Sequence, residues 1–142
     1  MARTPVIELA HPTLRVDTRA LRSLVRLAAT SEGFELGELN VILGDHELVL
    51  DLNRRYLEHD YLTDVLAFNY AESADTRRIE GEIYVDLDTA FERCAEFGVT
   101  FEEEVSRYVI HGLLHLMGHD DHTPEGKAAM HAIEDRYLKL DR

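Results

Sequence analysis

Residues 100–118, TFEEEVSRYVIHGLLHLMG, form a strongly patterned stretch that predicts a long central helix from Phe101 to about Met117. Thr100 and Glu103 have the spacing of a capping box, in which the two side chains satisfy free backbone N–H groups at a helix start. Gly118 stands where the left-handed residue that follows a helix belongs. The sequence therefore predicts a helix with defined ends, around which the remaining elements can be placed.

Strand and helix patterns alternate on the amino-terminal side of this helix. Apolar runs predict four strands, at residues 6–9, 39–43, 63–68 and 79–86. Helical spacing and N-cap residues predict helices over 18–32, 45–56, 88–97 and 124–140, and residues 71–76 read as a loop. The third strand is apolar almost throughout, so we expect it to be buried on both faces. The order predicts an α/β fold in which one domain, residues 1–142, packs about five helices with a four-stranded mixed sheet.

Length, composition and charge limit the possible functions. The 142 residues carry a formal net charge of −13, which argues against broad binding of phosphate backbones. Arg15, Arg19, Arg22 and Arg26 lie on one predicted helix face; they could contact RNA, or they could be an ordinary solvated surface. Cys94 is the only cysteine, and we interpret it as a buried thiol in a cytoplasmic protein. No signal peptide or membrane span is expected.

A histidine cluster at the end of the central helix predicts a metal site. Four of the eight histidines fall within HGLLHLMGHDDH, residues 111–122. His111 and His115 are four residues apart, so a helix places both imidazoles on one face, with Cβ atoms about 5–6 Å apart. Two nitrogens so placed can reach one ion. A single pair of this kind is often an ordinary surface feature, but this density of histidine and aspartate is not.

The third ligand is expected just beyond Gly118, where the chain can turn back toward the ion. In metalloenzymes with the pattern HxxxHxxGxx, the third ligand lies ten residues after the first histidine, which here is Asp121. Aspartate is an accepted ligand of zinc and of harder divalent ions. His122 is the second candidate and His119 the third. Using both Asp121 and His122 would close the site with four protein ligands.

Gly112 bears on the mechanism. Zinc proteases with the HExxH motif carry a glutamate general base at this position, and glycine cannot serve that role. Glycine inside a helix costs about 1 kcal/mol relative to alanine, so we expect Gly112 to allow close packing or access to the metal. With three protein ligands, a metal-bound hydroxide would be the nucleophile. The candidate proton acceptors are then Asp120, Glu104 and Asp64.

Two further residues on the central helix could support a ligand imidazole. Glu104 and Arg107 share helical spacing with His111, so either could be its hydrogen-bond partner. An ordinary exposed ion pair between Glu104 and Arg107 is the alternative.

Three motifs resemble those of the YbeY family, the endoribonuclease-type ribosomal RNA maturation factors. HGLLHLMGHDD resembles the family's HGxLHLxGyDH, LNRRYLEHDYLTDVLAF (residues 52–68) resembles LNxxyRxxDxxTDVLSF, and Gly81-Glu82-Ile83 resembles its GDI strand. The motifs occur in the family's order, from about Val41 to Tyr137. Two positions depart from the pattern, because Asp121 replaces the family's histidine and Leu57 replaces its arginine.

The resemblance implies a single metal ion, zinc or another divalent ion, at the end of a cleft whose shared core includes Asn53, Thr63 and Asp64. It also implies that Arg54 or Arg55 could take the place of the missing arginine. The implied activity is metal-dependent cleavage of single-stranded RNA, in 16S rRNA 3′-end maturation and ribosome quality control. The implied partners are the rRNA precursor, the small ribosomal subunit and a ribosomal or GTPase protein, with no membrane.

Two other functions remain open from the sequence. One is a ribosome-assembly binding factor in which the metal is structural. The other is a metal-dependent hydrolase of another substrate, such as a peptide. A structural site would be closed by four protein ligands, whereas a catalytic site would keep a position for water.

Overall fold

A mixed sheet of four strands lies at the centre of the computed structural model, which describes residues 2–56 and 64–140. The strands are β1 (Val6–Ala10), β2 (Glu35–Gly44), β3 (Val65–Asn69) and β4 (Arg78–Asp86). The α-helices of the described ranges are α1 (Thr18–Ser31), α2 (His46–Tyr56), α3 (Leu87–Glu96), α4 (Phe101–Leu116) and α5 (Pro124–Leu140). A short 3-10 helix, Ala74–Thr76, lies in the segment predicted as a loop.

The sheet order is β1-β2-β4-β3. β1 pairs with β2 and β2 with β4 in parallel, whereas β3 runs antiparallel to β4. The predicted α/β class, four-stranded mixed sheet and five helices are confirmed. None of the helices in these two ranges has the length and hydropathy that a membrane span needs.

The central position of α4 is confirmed by its neighbours. It packs against β3 and β4 on one side and contacts α1, α3 and α5 on the others. Its residues Val109, Ile110, Leu113 and Leu114 are fully buried. The helix that carries the histidines is therefore held by the hydrophobic core, which fixes where its ligand face points.

Gly112 explains how closely α4 approaches the sheet. A Cβ atom at this position would lie 2.7 Å from Ile83 Cγ2 and 3.2 Å from Val65 Cγ2. Because carbon atoms in contact sit about 3.5–4.0 Å apart, a side chain here would push the helix away from β3 and β4. Close packing is thus the role of Gly112.

The prediction that the third strand is buried on both faces is wrong. β3 is an edge strand, and of its residues only Leu66 is fully buried. One of its faces packs under α4, and on the other Phe68 makes edge-to-face contacts with Tyr56 and Tyr84. Its apolar sequence therefore reflects contacts with a helix and with aromatic rings rather than enclosure within the sheet.

Cys94 is also placed differently from the prediction of a buried thiol. It is only partly buried on α3, and its Sγ lies 3.2 Å from the carbonyl oxygen of Phe91, within the same helix.

The capping box at the start of α4 is confirmed. Thr100 Oγ1 accepts a hydrogen bond from the Glu103 backbone N–H at 3.1 Å, and Glu103 Oε1 accepts one from the Thr100 N–H at 3.2 Å. Thr100→Ala is expected to lower the free energy of unfolding by about 1 kcal/mol, because one N–H group loses its partner. Urea denaturation measures this loss, and Thr100→Ser is the control that should retain most of the stability. Equal stability of Thr100→Ala and the wild type would show that the cap contributes nothing.

Candidate metal centre

The two histidines of α4 face one another on the exposed side of the helix. Their rings lie 4.7 Å apart between centroids, and the Nε2 atoms are 3.1 Å apart. Both side chains are partly exposed, at 26% and 30%. The i,i+4 spacing thus brings two imidazole nitrogens to one point, as predicted from the sequence.

Asp121 completes this group. The helix ends at Leu116, and Gly118 adopts a positive φ of 100°, which turns the chain back over the last turn of α4. Asp121 Oδ2 lies 3.4 Å from His111 Nε2, and Asp121 Oδ1 lies 3.8 Å from His115 Nε2. Within the described ranges, His111, His115 and Asp121 are the His, Cys, Asp or Glu residues whose ligand atoms cluster in this way.

The competing candidates lie outside the cluster. His122 is exposed, and its backbone N–H donates to Asp120 Oδ1 at 3.2 Å. His119 contributes its backbone carbonyl, which lies 3.1 Å from His115 Nδ1. The structure thus brings Asp121, and neither His119 nor His122, to the two helical histidines through its side chain.

The Nδ1 atoms of both imidazoles have fixed acceptors. His111 Nδ1 lies 2.7 Å from Glu134 Oε2, on α5, and Glu134 is only 3% exposed. The carboxylate and the His119 carbonyl can only accept, so Nδ1 of each ring carries the proton and donates it. A neutral imidazole protonated at Nδ1 carries its lone pair on Nε2, the atom that faces Asp121 in both rings, and this is the tautomer that metal-binding histidines adopt.

Arg107 holds Glu134 in place. Its Nη1 donates to Glu134 Oε1 at 3.0 Å, and its Nη2 donates to Asp135 Oδ1 at 2.5 Å. Sequence reasoning named Glu104 and Arg107 as possible partners of the imidazole. Arg107 instead acts through Glu134, whose carboxylate touches the ring.

The pKa values of the two histidines move in opposite directions. Burial alone would lower the pKa of His111, but the hydrogen bond and charge of Glu134 outweigh it, and the pKa is raised. Burial lowers the pKa of His115, and the neighbouring His111 lowers it further. The protein therefore favours a neutral His115, and the Glu134 carboxylate makes His111 a stronger base.

The donor set fits a divalent ion. In a tetrahedral site with metal–ligand distances of about 2.0–2.1 Å, two ligand atoms lie about 3.3–3.4 Å apart. Here the two Nε2 atoms are 3.1 Å apart, Asp121 Oδ2 lies 3.4 Å from His111 Nε2, and Asp121 Oδ1 lies 3.8 Å from His115 Nε2. With one ligand atom taken from each residue, all three atoms lie within 4.8 Å of one another. Two imidazoles and one carboxylate are also a ligand set found in catalytic zinc sites, where three protein ligands leave one position open.

Beside His111 lies a polar cluster of Asp64, Arg93, Glu104 and Tyr108. Arg93 Nη1 donates to Asp64 Oδ2 at 3.4 Å. Burial raises the pKa of the Asp64 and Glu104 carboxyl groups. The charge of Asp86 raises the pKa of Asp64 further, and the charge of Asp64 does the same for Glu104. Burial and the two carboxylates also raise the pKa of Tyr108, which keeps this phenol protonated. Asp64 is close enough to His111 for each to influence the pKa of the other.

Comparison with known proteins assigns the chain to a family. Residues 8–140 match the family model described as endoribonuclease YbeY. The chain belongs to the YbeY family. This confirms the resemblance seen in the three motifs, and with it the prediction of an enzyme of the endoribonuclease class.

Individual relatives agree with this assignment. The chain is 48% identical over 138 residues to endoribonuclease YbeY of Salinibacter ruber, covering 93% of this chain and 88% of the relative. It is 40% identical over 133 residues to endoribonuclease YbeY of Chlorobaculum tepidum, covering 93% and 95%. A solution structure of a Thermotoga maritima protein is similar, with a TM-score of 0.67, 28% identity and coverage of 96% of this chain and 89% of that one.

Asn53, Arg54 and Arg55 are the remaining residues named from the family's motifs that lie in the described ranges. Asn53, on α2, is 1% exposed and so lies in the interior. Arg54 and Arg55 are exposed at the end of α2, where Arg55 Nε donates to Asp51 Oδ1 at 3.2 Å. Thr63, and Leu57 at the position of the YbeY arginine, lie outside the described residues.

Glu134 is the residue that sequence reasoning missed. It lies 23 residues after His111, on a different helix. The sequence nevertheless contains a signal for Glu134. It falls at helical spacing between the buried Met130 and Tyr137, and a carboxylate on such a buried face needs a specific partner.

Glu134→Gln is expected to weaken zinc binding by about 10- to 100-fold. The amide can still accept from His111 Nδ1, but it removes the charge that strengthens the ligand. Competition with a chelator of known affinity measures the change. Asp135→Asn is the matched control, because Asp135 shares Arg107 with Glu134 but not the imidazole, and it should bind zinc like the wild type. Equal affinity of Glu134→Gln and the wild type would show that Glu134 does not tune the ligand.

Proposed function

We propose that the chain is a metal-dependent endoribonuclease that binds one Zn²⁺ ion through His111, His115 and Asp121. Convergence of the three ligand atoms supports this, together with Nδ1 acceptors that direct both Nε2 lone pairs to the same point. The endoribonuclease class comes from the family. The ion and its ligands are our proposal.

The site is proposed to be catalytic rather than structural. A structural zinc site is closed by four protein ligands, and His122 would have to supply the fourth. His122 is exposed and stands apart from the cluster. The observation that carries the proposal is therefore the open three-ligand group at the protein surface.

When bound, the ion would supply a Lewis acid for a phosphodiester oxygen and would acidify water at the open position. Asp64 is the proposed proton acceptor. Its side chain is 29% exposed, its pKa is raised by burial, and it lies beside His111. Glu104 is 4% exposed and so is closed to a substrate, whereas Asp120 is exposed and accepts from the His122 backbone.

The proposed substrate is single-stranded RNA at the 3′ end of the 16S rRNA precursor, in ribosome maturation and quality control. The protein would then meet the small ribosomal subunit in the cytoplasm, and a ribosomal or GTPase protein could deliver it. The net charge of −13 supports recruitment by a partner over capture of RNA by general electrostatic attraction.

The test compares zinc-loaded and metal-stripped protein on a single-stranded pre-rRNA 3′-end fragment. We expect cleavage by the loaded protein only, with activity restored when zinc is returned. Equal cleavage by both forms would exclude the metal mechanism. Cleavage of casein but not RNA would indicate a peptide hydrolase, and binding to the small subunit without cleavage would indicate an assembly factor.

A further inference from the structure

A polar pocket of about 240 Å³ lies beside the metal-binding loop and is not used by the proposed mechanism. Its walls come from the end of α1, the start of β2, the 3-10 helix, the start of β4 and the segment after α4. The lining residues are Glu32, Phe34, Asp75, Arg77, Met117 and His119. Its volume is below the roughly 300–1,000 Å³ of pockets that enclose drug-sized ligands, so it suits a small, flat group.

The pocket is joined directly to the metal centre. His119 is one of its lining residues, and the His119 backbone carbonyl lies 3.1 Å from His115 Nδ1. Asp121, the third proposed ligand, follows two residues later. A nucleotide bound in the pocket would therefore neighbour a phosphodiester at the metal centre, along the same RNA strand.

Arg77 gives the pocket a stacking surface. Its guanidinium lies over the ring of Phe34, 5.1 Å from the ring centroid, and the residue is exposed. One planar face of the guanidinium thus rests on Phe34, and an unstacked RNA base can stack on the other. Arg77 also has a φ of 55°, a conformation that costs a non-glycine residue free energy.

The charged groups of the pocket select among ligands. Glu32 and Asp75 are carboxylates, so they repel a phosphate but accept hydrogen bonds from a base. Glu32 is held in position by Arg136 and by the Tyr137 hydroxyl, both through Oε2. Guanine presents two adjacent donors on its pairing edge, whereas uracil presents one. A carboxylate-lined pocket therefore favours guanine.

We propose that the pocket between Phe34, Arg77 and His119 binds a guanine base of single-stranded RNA and sets the sequence preference of the endoribonuclease. The proposal rests on the proposed function for its RNA substrate. Its own evidence is the Phe34–Arg77 stack, the two carboxylates and the direct link to the metal-binding loop.

The test measures RNA binding by metal-stripped protein, which separates recognition from cleavage. Fluorescence anisotropy compares the labelled pentanucleotides UUGUU and UUUUU. We expect the wild type to bind UUGUU about tenfold more tightly, the effect of the additional hydrogen bond that guanine can donate to a carboxylate. Arg77→Gly is expected to bind both pentanucleotides with the affinity that the wild type has for UUUUU. Glycine adopts φ near 55° without strain, so this variant should fold at least as well as the wild type.

Lys127→Gln is the matched control. It removes one positive charge from an exposed position outside the pocket lining and should retain the tenfold preference. Equal binding of both oligonucleotides by the wild type, or an undiminished preference in Arg77→Gly, would overturn the proposal. Both results concern binding by metal-stripped protein, so they can be obtained whether or not the protein cleaves RNA. Failure to cleave RNA would contradict the proposed function and would leave the binding comparison valid.

Discussion

His115→Ala is expected to lower zinc affinity by more than 100-fold and to abolish RNA cleavage. Loss of an outer partner such as Glu134 typically costs 10- to 100-fold in affinity, and His115 supplies a ligand atom itself. Its Nε2 lies 3.1 Å from His111 Nε2, so the substitution removes one of the three proposed ligand atoms. Zinc titration against a chelator and cleavage of a single-stranded RNA measure the two effects.

The fold should survive this substitution. The His115 side chain is 30% exposed, and the core residues of α4 lie on the other faces of the helix. We expect the free energy of unfolding of the metal-free protein to change by no more than about 1 kcal/mol. His131→Ala, at a 63% exposed histidine on α5, is the control and should keep both zinc and activity. Normal zinc binding by His115→Ala would remove His115 from the site.

Gly81→Ala is expected to destabilise the protein by about 3 kcal/mol. A Cβ atom at this position would collide with the backbone carbonyl oxygen of Phe68 on β3 and would lie 3.1 Å from Leu116 Cδ2 on α4. A backbone atom within a strand pair cannot rotate away as a side chain can, so β3 or α4 must shift. Urea denaturation with an unchanged m-value measures the loss.

Gly37→Ala is the matched control for this substitution. The three atoms nearest to its Cβ atom would belong to the side chains of Glu80 and Arg78, which can move. We expect a change within about 1 kcal/mol, and equal losses in the two variants would contradict the packing argument. Gly81 lies in the segment that resembles the GDI strand of the YbeY family. This glycine thus has a structural role, because it lets β3, β4 and α4 meet beside the metal centre.

Features encoded by local sequence were predictable. The capping box of α4 and the turn at Gly118 depend on residues within a few positions of one another, and both are confirmed. The meeting of His111 and His115 is equally local, because helix geometry alone places them together. Counting residues from His111 also favoured Asp121 as the third ligand over His122 and His119. The structure places the Asp121 side chain near both histidines, and its role as a ligand stays a prediction.

Features that depend on contacts between distant segments were not predictable. Glu134 reaches His111 only because α5 folds back along α4, and the sequence does not encode that packing as a motif. The edge position of β3 follows from its antiparallel pairing with β4, which an apolar run does not reveal. Likewise, the guanidinium of Arg77 meets Phe34 only after β2 and β4 have paired.

Zinc binding by Asp121→Ala and His122→Ala distinguishes the open three-ligand site from the alternatives. We expect Asp121→Ala to lose at least tenfold in zinc affinity, because it removes the carboxylate that lies 3.4 Å from His111 Nε2. We expect His122→Ala to bind one zinc ion per chain like the wild type. Loss of zinc in His122→Ala with retention in Asp121→Ala would contradict the proposed ligand set. Loss in both variants would indicate a closed four-ligand site and would contradict the catalytic assignment.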